Sequence, residues 1–185
     1  MAEEARGTDD PGRFEQVVLP HLNAAYNLAR WLVRNRHDAE DIVQEAYLRA
    51  FKFWGGYQGG DARAWLLKIV RNTSYSFLER KRPADQGEEF DEKIHVSESA
   101  QPDAEAALLQ SSENQMLRDA LERLPVNFRE ALILRELEGL SYKEIAEVME
   151  VPIGTVMSSL ARGRAQLREL LLVMRDQEMR SGLRR

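Results

Sequence analysis

No cysteine occurs in these 185 residues, which removes disulfides, thiolate nucleophiles and thiolate zinc sites together. Histidine is almost as scarce, and His21, His37 and His95 lie too far apart to form a ligand cluster. Neither a metal nor a cofactor is expected. No apolar run reaches the roughly 18 residues that a bilayer span requires. The acidic residues 1–10 have neither the basic nor the apolar part of a signal peptide, so no direct membrane insertion and a cytoplasmic location are expected. Catalytic signatures are missing as well. There is no phosphate-binding loop of the GxxxxGKT kind, no nucleophile with a base at workable spacing, and no paired carboxylates outside helical surfaces. Gly55, Gly56, Gly59 and Gly60 follow no strand, which argues against a nucleotide loop. The chain reads as something other than an enzyme.

Hydrophobic residues make up 43% of the chain, enough for a core, and charged residues 31%, enough for a solvated surface. A net charge of -5 argues against a nucleic-acid binder only until its distribution is considered. Residues 63–82 carry a net +5 and residues 151–185 a net +4, while residues 83–106 between them carry -7. Two basic helical stretches can therefore meet phosphate on either side of an acidic segment.

Apolar residues recur every three or four positions at Phe14, Val18, Leu22, Ala25, Ala29 and Leu32, the mark of an amphipathic helix that Pro20 interrupts. A second helix is expected from Asp38, with Ala39, Ile42, Val43, Ala46, Ala50 and Trp54 on one stripe and Asp38, Asp41, Gln44, Glu45, Arg49 and Lys52 off it. The glycines at 55, 56, 59 and 60 then make a loop around Tyr57 and Gln58. A third helix spans 62–82 with Trp65, Leu66, Ile69, Thr73 and Phe77 inward, and Pro83 ends it. Residues 83–101 are acidic and hold only Phe90, Ile94 and Val96 as anchors, too few for a core, so a linker is expected. Beyond Pro102 helical patterning resumes over 108–124 and 126–138, followed by two shorter elements. With no strand alternation and no internal repeat, the fold class is all-α, two small helical domains joined by an acidic linker.

The most specific local signal runs from Gly139 to Leu172. Gly139 suits a helix C-cap, Ser141 and Glu144 form a capping box, and Val151 with Pro152 makes a short turn with Pro152 first in the next helix. A helix-turn-helix with Ser158, Ser159, Arg162 and Arg164 on its outer face is what major-groove reading requires. On helix pattern alone, an ordinary packed pair with a solvated face stands equally open. Acids before the turn and arginines after it favour DNA.

These residues carry a family resemblance. Leu121-Glu122-Arg123-Leu124-Pro125, Phe128-Arg129-Glu130-Ala131, the run from Glu138 to Ala146 and the run from Val151 to Val156 resemble region 4 of the extracytoplasmic-function sigma factors. Separately, the runs from Asp38 to Ala46 and from Trp65 to Asn72 resemble their region 2. The resemblance implies a region 2 domain over 10–82, a linker over 83–111 and a region 4 domain over 112–178. It implies core RNA polymerase (its β′ and β subunits), promoter DNA and an anti-sigma factor as partners.

The resemblance also implies roles for single residues. Asp38, Asp41, Gln44 and Glu45 would dock on a polymerase coiled coil, although a solvated charged face explains the same pattern. His37, Asp38 and Asp41 could be imagined as metal ligands, but acids at a helix start are ordinary. Tyr57, Lys68, Arg71, Asn72, Arg80, Lys81 and Arg82 would hold the melted minus-10 element, supplying the aromatic, polar and basic groups that an unstacked base and its backbone require. Trp65, on the apolar stripe, belongs to the core. Thr155, Met157, Ser158, Ser159, Arg162 and Arg164 would face the minus-35 element. This chain departs from the family in a loop one residue shorter and in having Met157 and Ser159 where many members carry cations, which alters base preference because arginine reads guanine bidentately and methionine cannot. The competing functions are a helix-turn-helix regulator of the LuxR type, which would bind duplex DNA without polymerase, and an anti-sigma mimic or adaptor lacking a basic recognition face.

Overall fold

The computed structural model describes residues 11–81 and 112–182. The expected linker lies outside the described residues, as does Arg82. Among the described residues there are eight α-helices and no strand, in agreement with an all-α class.

The first domain contains α1 (Pro11–Val18), α2 (Leu22–Val33), α3 (Arg36–Lys52) and α4 (Ala62–Lys81). Pro20 sits in a 3-10 turn between α1 and α2, where its missing N–H costs no helical hydrogen bond. Helix α3 starts two residues before the expected Asp38, because Asn35 is the cap and its side chain accepts from the Asp38 N–H at 3.1 Å. The α3 stripe is buried at Ala39, Ile42, Ala46 and Ala50, and α2 answers with Ala24, Ala25 and Ala29. Small side chains on both partners let α2, α3 and α4 pack closely against one another. Phe14 of α1 closes one end, edge-on to Tyr47, Phe51 and Trp54 at 5.0, 5.1 and 5.3 Å. Each such pair adds about 0.5–1.5 kcal/mol beyond area burial.

The second domain contains α5 (Ser112–Glu122), α6 (Val126–Leu132), α7 (Tyr142–Met149) and α8 (Ile153–Gly182). The helix expected over 126–138 is α-helical only to Leu132 and continues as a π-helix over Ile133–Leu137. Its wider turn sends Leu137 and Glu136 outward while Ile133 and Leu134 stay buried. Gly139 follows at φ +66°, a conformation in which a Cβ would be strained. The capping box at α7 is complete: Ser141 Oγ accepts from the Glu144 N–H at 3.2 Å, and Glu144 Oε2 accepts from the Ser141 N–H at 2.6 Å. Pro152 precedes α8 instead of opening it, its carbonyl accepting from the N–H groups of Thr155 and Val156. The final element is not short. Helix α8 has 30 residues and no proline to stop it, and Gly163 gives it a close approach to α6, since a Cβ there would lie 3.2 Å from Leu132 Cδ1 and Phe128 Cβ.

The two domains touch. Helix α4 packs on α7 and α2 on α6, a relation that no periodicity within either half announces.

Candidate nucleic-acid interface

In the helix-turn-helix, α7 and α8 meet through Ile145, Val148, Val156 and Leu160, all buried. Glu150 at φ +57° turns the chain between them. This fixes which face of α8 is free. Thr155, Met157 and Arg162 lie in solvent, and Ser158 is half-buried with its hydroxyl donating to the Thr155 carbonyl at 3.0 Å. Ser159 is not on the outer face: it is only 4% exposed, because it shares the inward side of α8 with Val156, Leu160 and Gly163. Sequence alone placed it one step too far round the helix. Arg164 is outward but engaged, its Nη2 2.7 Å and Nε 3.2 Å from Glu136 Oε1. That bond raises the arginine pKa above its ordinary value. Arg162 has no side-chain partner among the described residues.

In the first domain the loop between α3 and α4 is held by aromatic packing. Tyr57 stacks on Trp54 at 5.0 Å, lies 5.0 Å from Trp65, and donates its hydroxyl to the Gly60 carbonyl at 2.8 Å. One ring face is thus already used, and burial, then the charge of Asp61, pushes the phenol pKa up. Trp65 packs against the core, as its place on the stripe implies. Asp61 caps α4 by accepting from the Ala64 N–H at 2.9 Å, which holds its carboxyl below the usual value. Beside the loop a cleft of about 670 Å³ is lined by Tyr57, Gly59, Gly60 and Asp61 together with Arg13, Gln16 and His21 from the α1 side. The sequence singled out neither Arg13 nor Gln16, and His21 only as an isolated histidine, because their distance from the loop is short only in space.

Helix α4 divides its polar groups between two neighbours. Arg80 and Lys81 turn toward α3: Lys81 Nζ is 2.6 Å from Asp38 Oδ2, and Arg80 Nη2 is 3.4 Å from Glu45 Oε2. Glu45 also holds Arg49 at 2.5 Å. Of the four polar residues expected to dock a partner, Asp41 and Gln44 are exposed and unpaired among the described residues, whereas Asp38 and Glu45 are engaged. Exposed Leu48, Phe51 and Phe53 lie on the same helix or just beyond its end. Lys68, Arg71 and Asn72 turn instead toward the second domain. Lys68 Nζ is 2.9 Å from Glu150 Oε1, and Arg71 Nε is 2.5 Å from Glu130 Oε1. Lys68 first, then Asn72 and Arg71, hold the Glu150 carboxyl below its ordinary value.

Glu130 is the residue that the sequence hides best. It is 1% exposed, lies between Arg71 and the Tyr75 hydroxyl at 3.0 Å, and has its pKa raised by burial against the pull of Arg71. Tyr75 is raised as well, by burial and then by Glu130. Next to it Arg129 is buried, donates to the Glu122 carbonyl at 3.1 Å, and is lowered to about 10 by desolvation and by nearby Arg34. Arg34 donates to that same carbonyl from the first domain.

With this geometry in view, comparison with known proteins is direct. The sigma-70 region 2 family profile matches residues 17–83, and the sigma-70 region 4 profile matches residues 114–167. The RNA polymerase sigma-H factor of Pseudomonas aeruginosa is 34% identical over 173 residues, covering 88% of this chain and 88% of that protein. The ECF RNA polymerase sigma-E factor of Haemophilus influenzae is 35% identical over 168 residues, covering 85% and 87%. The ECF RNA polymerase sigma factor SigE of Mycolicibacterium smegmatis is 37% identical over 158 residues, covering 85% of this chain but 61% of that longer protein. Among solved structures, the sigma factor RpoE in complex with the anti-sigma factor NepR from Bartonella quintana aligns at a TM-score of 0.68 with 30% identity, over 87% of this chain and 98% of that one. CnrH in complex with the cytosolic domain of CnrY aligns at 0.64 with 26% identity, over 91% and 92%.

The fold and its paired surfaces thus define a two-domain transcription-initiation factor. The chain belongs to the extracytoplasmic-function sigma factors of the sigma-70 family, which are not enzymes. The region 2 match removes the support for a LuxR-type regulator, which the helix-turn-helix alone had left standing. No helix among the described residues is long and apolar enough to cross a membrane.

Proposed function

We propose that this sigma factor binds core RNA polymerase in the cytoplasm, directs it to promoters, and is held in check by an anti-sigma factor. The domain 10–82 docks on the polymerase β′ subunit through the α3 face around Asp41 and Gln44. Its loop 55–61 and helix α4 take the melted minus-10 strand, with Tyr57 shaping the loop and Lys68, Arg71 and Asn72 meeting backbone and base. The domain 112–178 approaches the β subunit and lays α8 in the minus-35 major groove, with Thr155, Met157, Ser158 and Arg162 toward the DNA.

The observation that carries this reading is the pairing of two surfaces on one chain. A recognition helix keeps its reading face in solvent, while α3 of the other domain keeps Asp41 and Gln44 uncommitted. A regulator acting alone would require only the first. Anti-sigma control is supported by the structural relative RpoE, which was captured in complex with the anti-sigma factor NepR.

The test is transcription from a genomic DNA library by core polymerase with and without this protein. New, discrete start sites that appear only with the protein are expected. Nanomolar footprinting of a promoter by the free protein in physiological salt, with no effect on polymerase, would overturn the reading.

A further inference from the structure

Between Glu150 and Arg162 the chain has no charged side chain, and no asparagine or glutamine either. In a recognition helix it is the N-terminal turns that reach base edges. The bidentate partners of guanine, arginine and lysine, and those of adenine, asparagine and glutamine, are therefore all missing from the part of α8 that enters the groove. What that part presents is apolar. Ile153 and Met157, one turn apart, are 46% and 54% exposed, and Ala161 and Ala165 continue the same row in solvent. The fold makes no use of this row, since Val156, Ser159, Leu160 and Gly163 supply the inward face of the helix. Gly154 lies beside it, and a Cβ there would meet nothing within 4 Å, so the backbone can come close to a base pair. The polar groups alongside are two hydroxyls: Thr155 is exposed, and Ser158 already donates to the Thr155 carbonyl at 3.0 Å, which leaves its oxygen only to accept.

We propose that the leading turns of α8 read thymine by its C5 methyl group: Ile153 and Met157 pack on the methyls of nearby A·T pairs in the minus-35 major groove, while Arg162, a turn further on, holds the backbone. The inference rests on the minus-35 role proposed for α8 and names what that face recognises. The thymine methyl is the apolar group that unmodified base pairs display in the major groove, so it is what an apolar side chain can tell apart. A G·C pair set against the same row would lose water and gain neither a partner nor a methyl contact. Side chains four apart on a helix have Cβ atoms roughly 5–6 Å from one another, and stacked pairs rise about 3.4 Å each. Methyls on neighbouring or next-neighbouring pairs are thus within joint reach. Methionine, unbranched and polarizable, adapts to whichever of these the sequence offers. Burying one methyl is worth about fourfold in affinity, and two are worth on the order of tenfold.

The test uses holoenzyme, assembled from core polymerase and the full chain, on a labelled duplex carrying a minus-35 element mapped by transcription. Every thymine of that element is replaced by deoxyuridine, which deletes the methyls and leaves the pairing edges intact. Fluorescence anisotropy is expected to show binding weaker by about fourfold to tenfold on the uracil duplex. Met157→Ala should cut that thymine-to-uracil ratio by about fourfold, and Ile153→Ala with Met157→Ala should bring it close to one. Met157→Leu should keep most of it, because leucine still covers a methyl. Both positions are exposed, and melting curves of the variants confirm that the fold is retained. Equal affinity of wild type for the two duplexes overturns the inference, as does an unchanged ratio in the double alanine variant. Equal affinity together with a loss of core-polymerase pull-down in Met157→Ala would assign the row to a protein partner instead. If holoenzyme binds the minus-35 duplex no better than a scrambled one, the minus-35 role of α8 falls and this inference with it. A holoenzyme that is sequence-specific yet indifferent to the methyls sinks the inference alone, so the two failures are distinguishable.

Discussion

Replacing Arg162 by alanine removes a cation that has no partner among the described residues, whereas the neighbouring Arg164 is held by Glu136. The two arginines should therefore behave differently although both lie on α8. If Arg162 meets one phosphate, its loss lowers the slope of log affinity against log salt by about 0.9. Between roughly 50 and 200 mM salt, wild-type affinity would then fall about 3.5-fold more than that of the variant. Arg164 must leave Glu136 before it can reach DNA. That pair is 48% and 54% exposed, and such pairs are worth about 0–1 kcal/mol. Glu136→Gln should accordingly strengthen duplex binding, by no more than about fivefold. The assay is fluorescence anisotropy of a labelled minus-35 duplex titrated with holoenzyme across a salt series, for wild type, Arg162→Ala and Glu136→Gln. An unchanged slope and affinity in Arg162→Ala would refute the phosphate contact. Weaker binding by Glu136→Gln would refute the view that Glu136 restrains Arg164.

Alanine at both Asp41 and Gln44 should weaken core-polymerase pull-down by about tenfold while stability changes by less than about 0.5 kcal/mol, since both side chains are exposed and unpaired. A matching loss of melting temperature would point to folding instead. Gly139→Ala should cost about 1–2 kcal/mol purely from backbone strain at φ +66°, because a Cβ there meets nothing within 4 Å. Thermal melting reads this directly, and an unchanged midpoint would contradict it. Asp61→Asn should soften acid unfolding. The folded-state pKa of Asp61 lies below its ordinary 3.8, so its stabilisation is present above that value and is lost as pH falls through the lowered one. Wild-type and variant melting curves should therefore converge in strong acid, and parallel curves at every pH would refute the assignment.

Whatever depended on neighbours along the chain was determined by the sequence itself. The 3.6-residue stripe in α3 named Ala39, Ile42, Ala46 and Ala50 as buried, and the capping box at Ser141 and Glu144 formed as spelled, because a cap involves only four consecutive residues. The order of region 2 and region 4 motifs was legible for the same reason. Boundaries were less so: Asn35 outcompeted Asp38 as a cap, and a proline-free α8 ran on through 30 residues where a shorter element was expected. Ser159 was misplaced because periodicity gives spacing around a helix, while its zero angle is set by what the helix packs against, here Val156, Leu160 and Gly163 facing α6 and α7. The division of α4 could only be decided in three dimensions. A run of lysines and arginines looks uniform in sequence, yet Arg80 and Lys81 answer acids on α3 while Lys68 and Arg71 answer acids more than fifty positions away. Local pattern carries no term for such a partner. The burial of Glu130 is the extreme case, since a charged residue enters an interior only when another element brings the opposite charge to meet it.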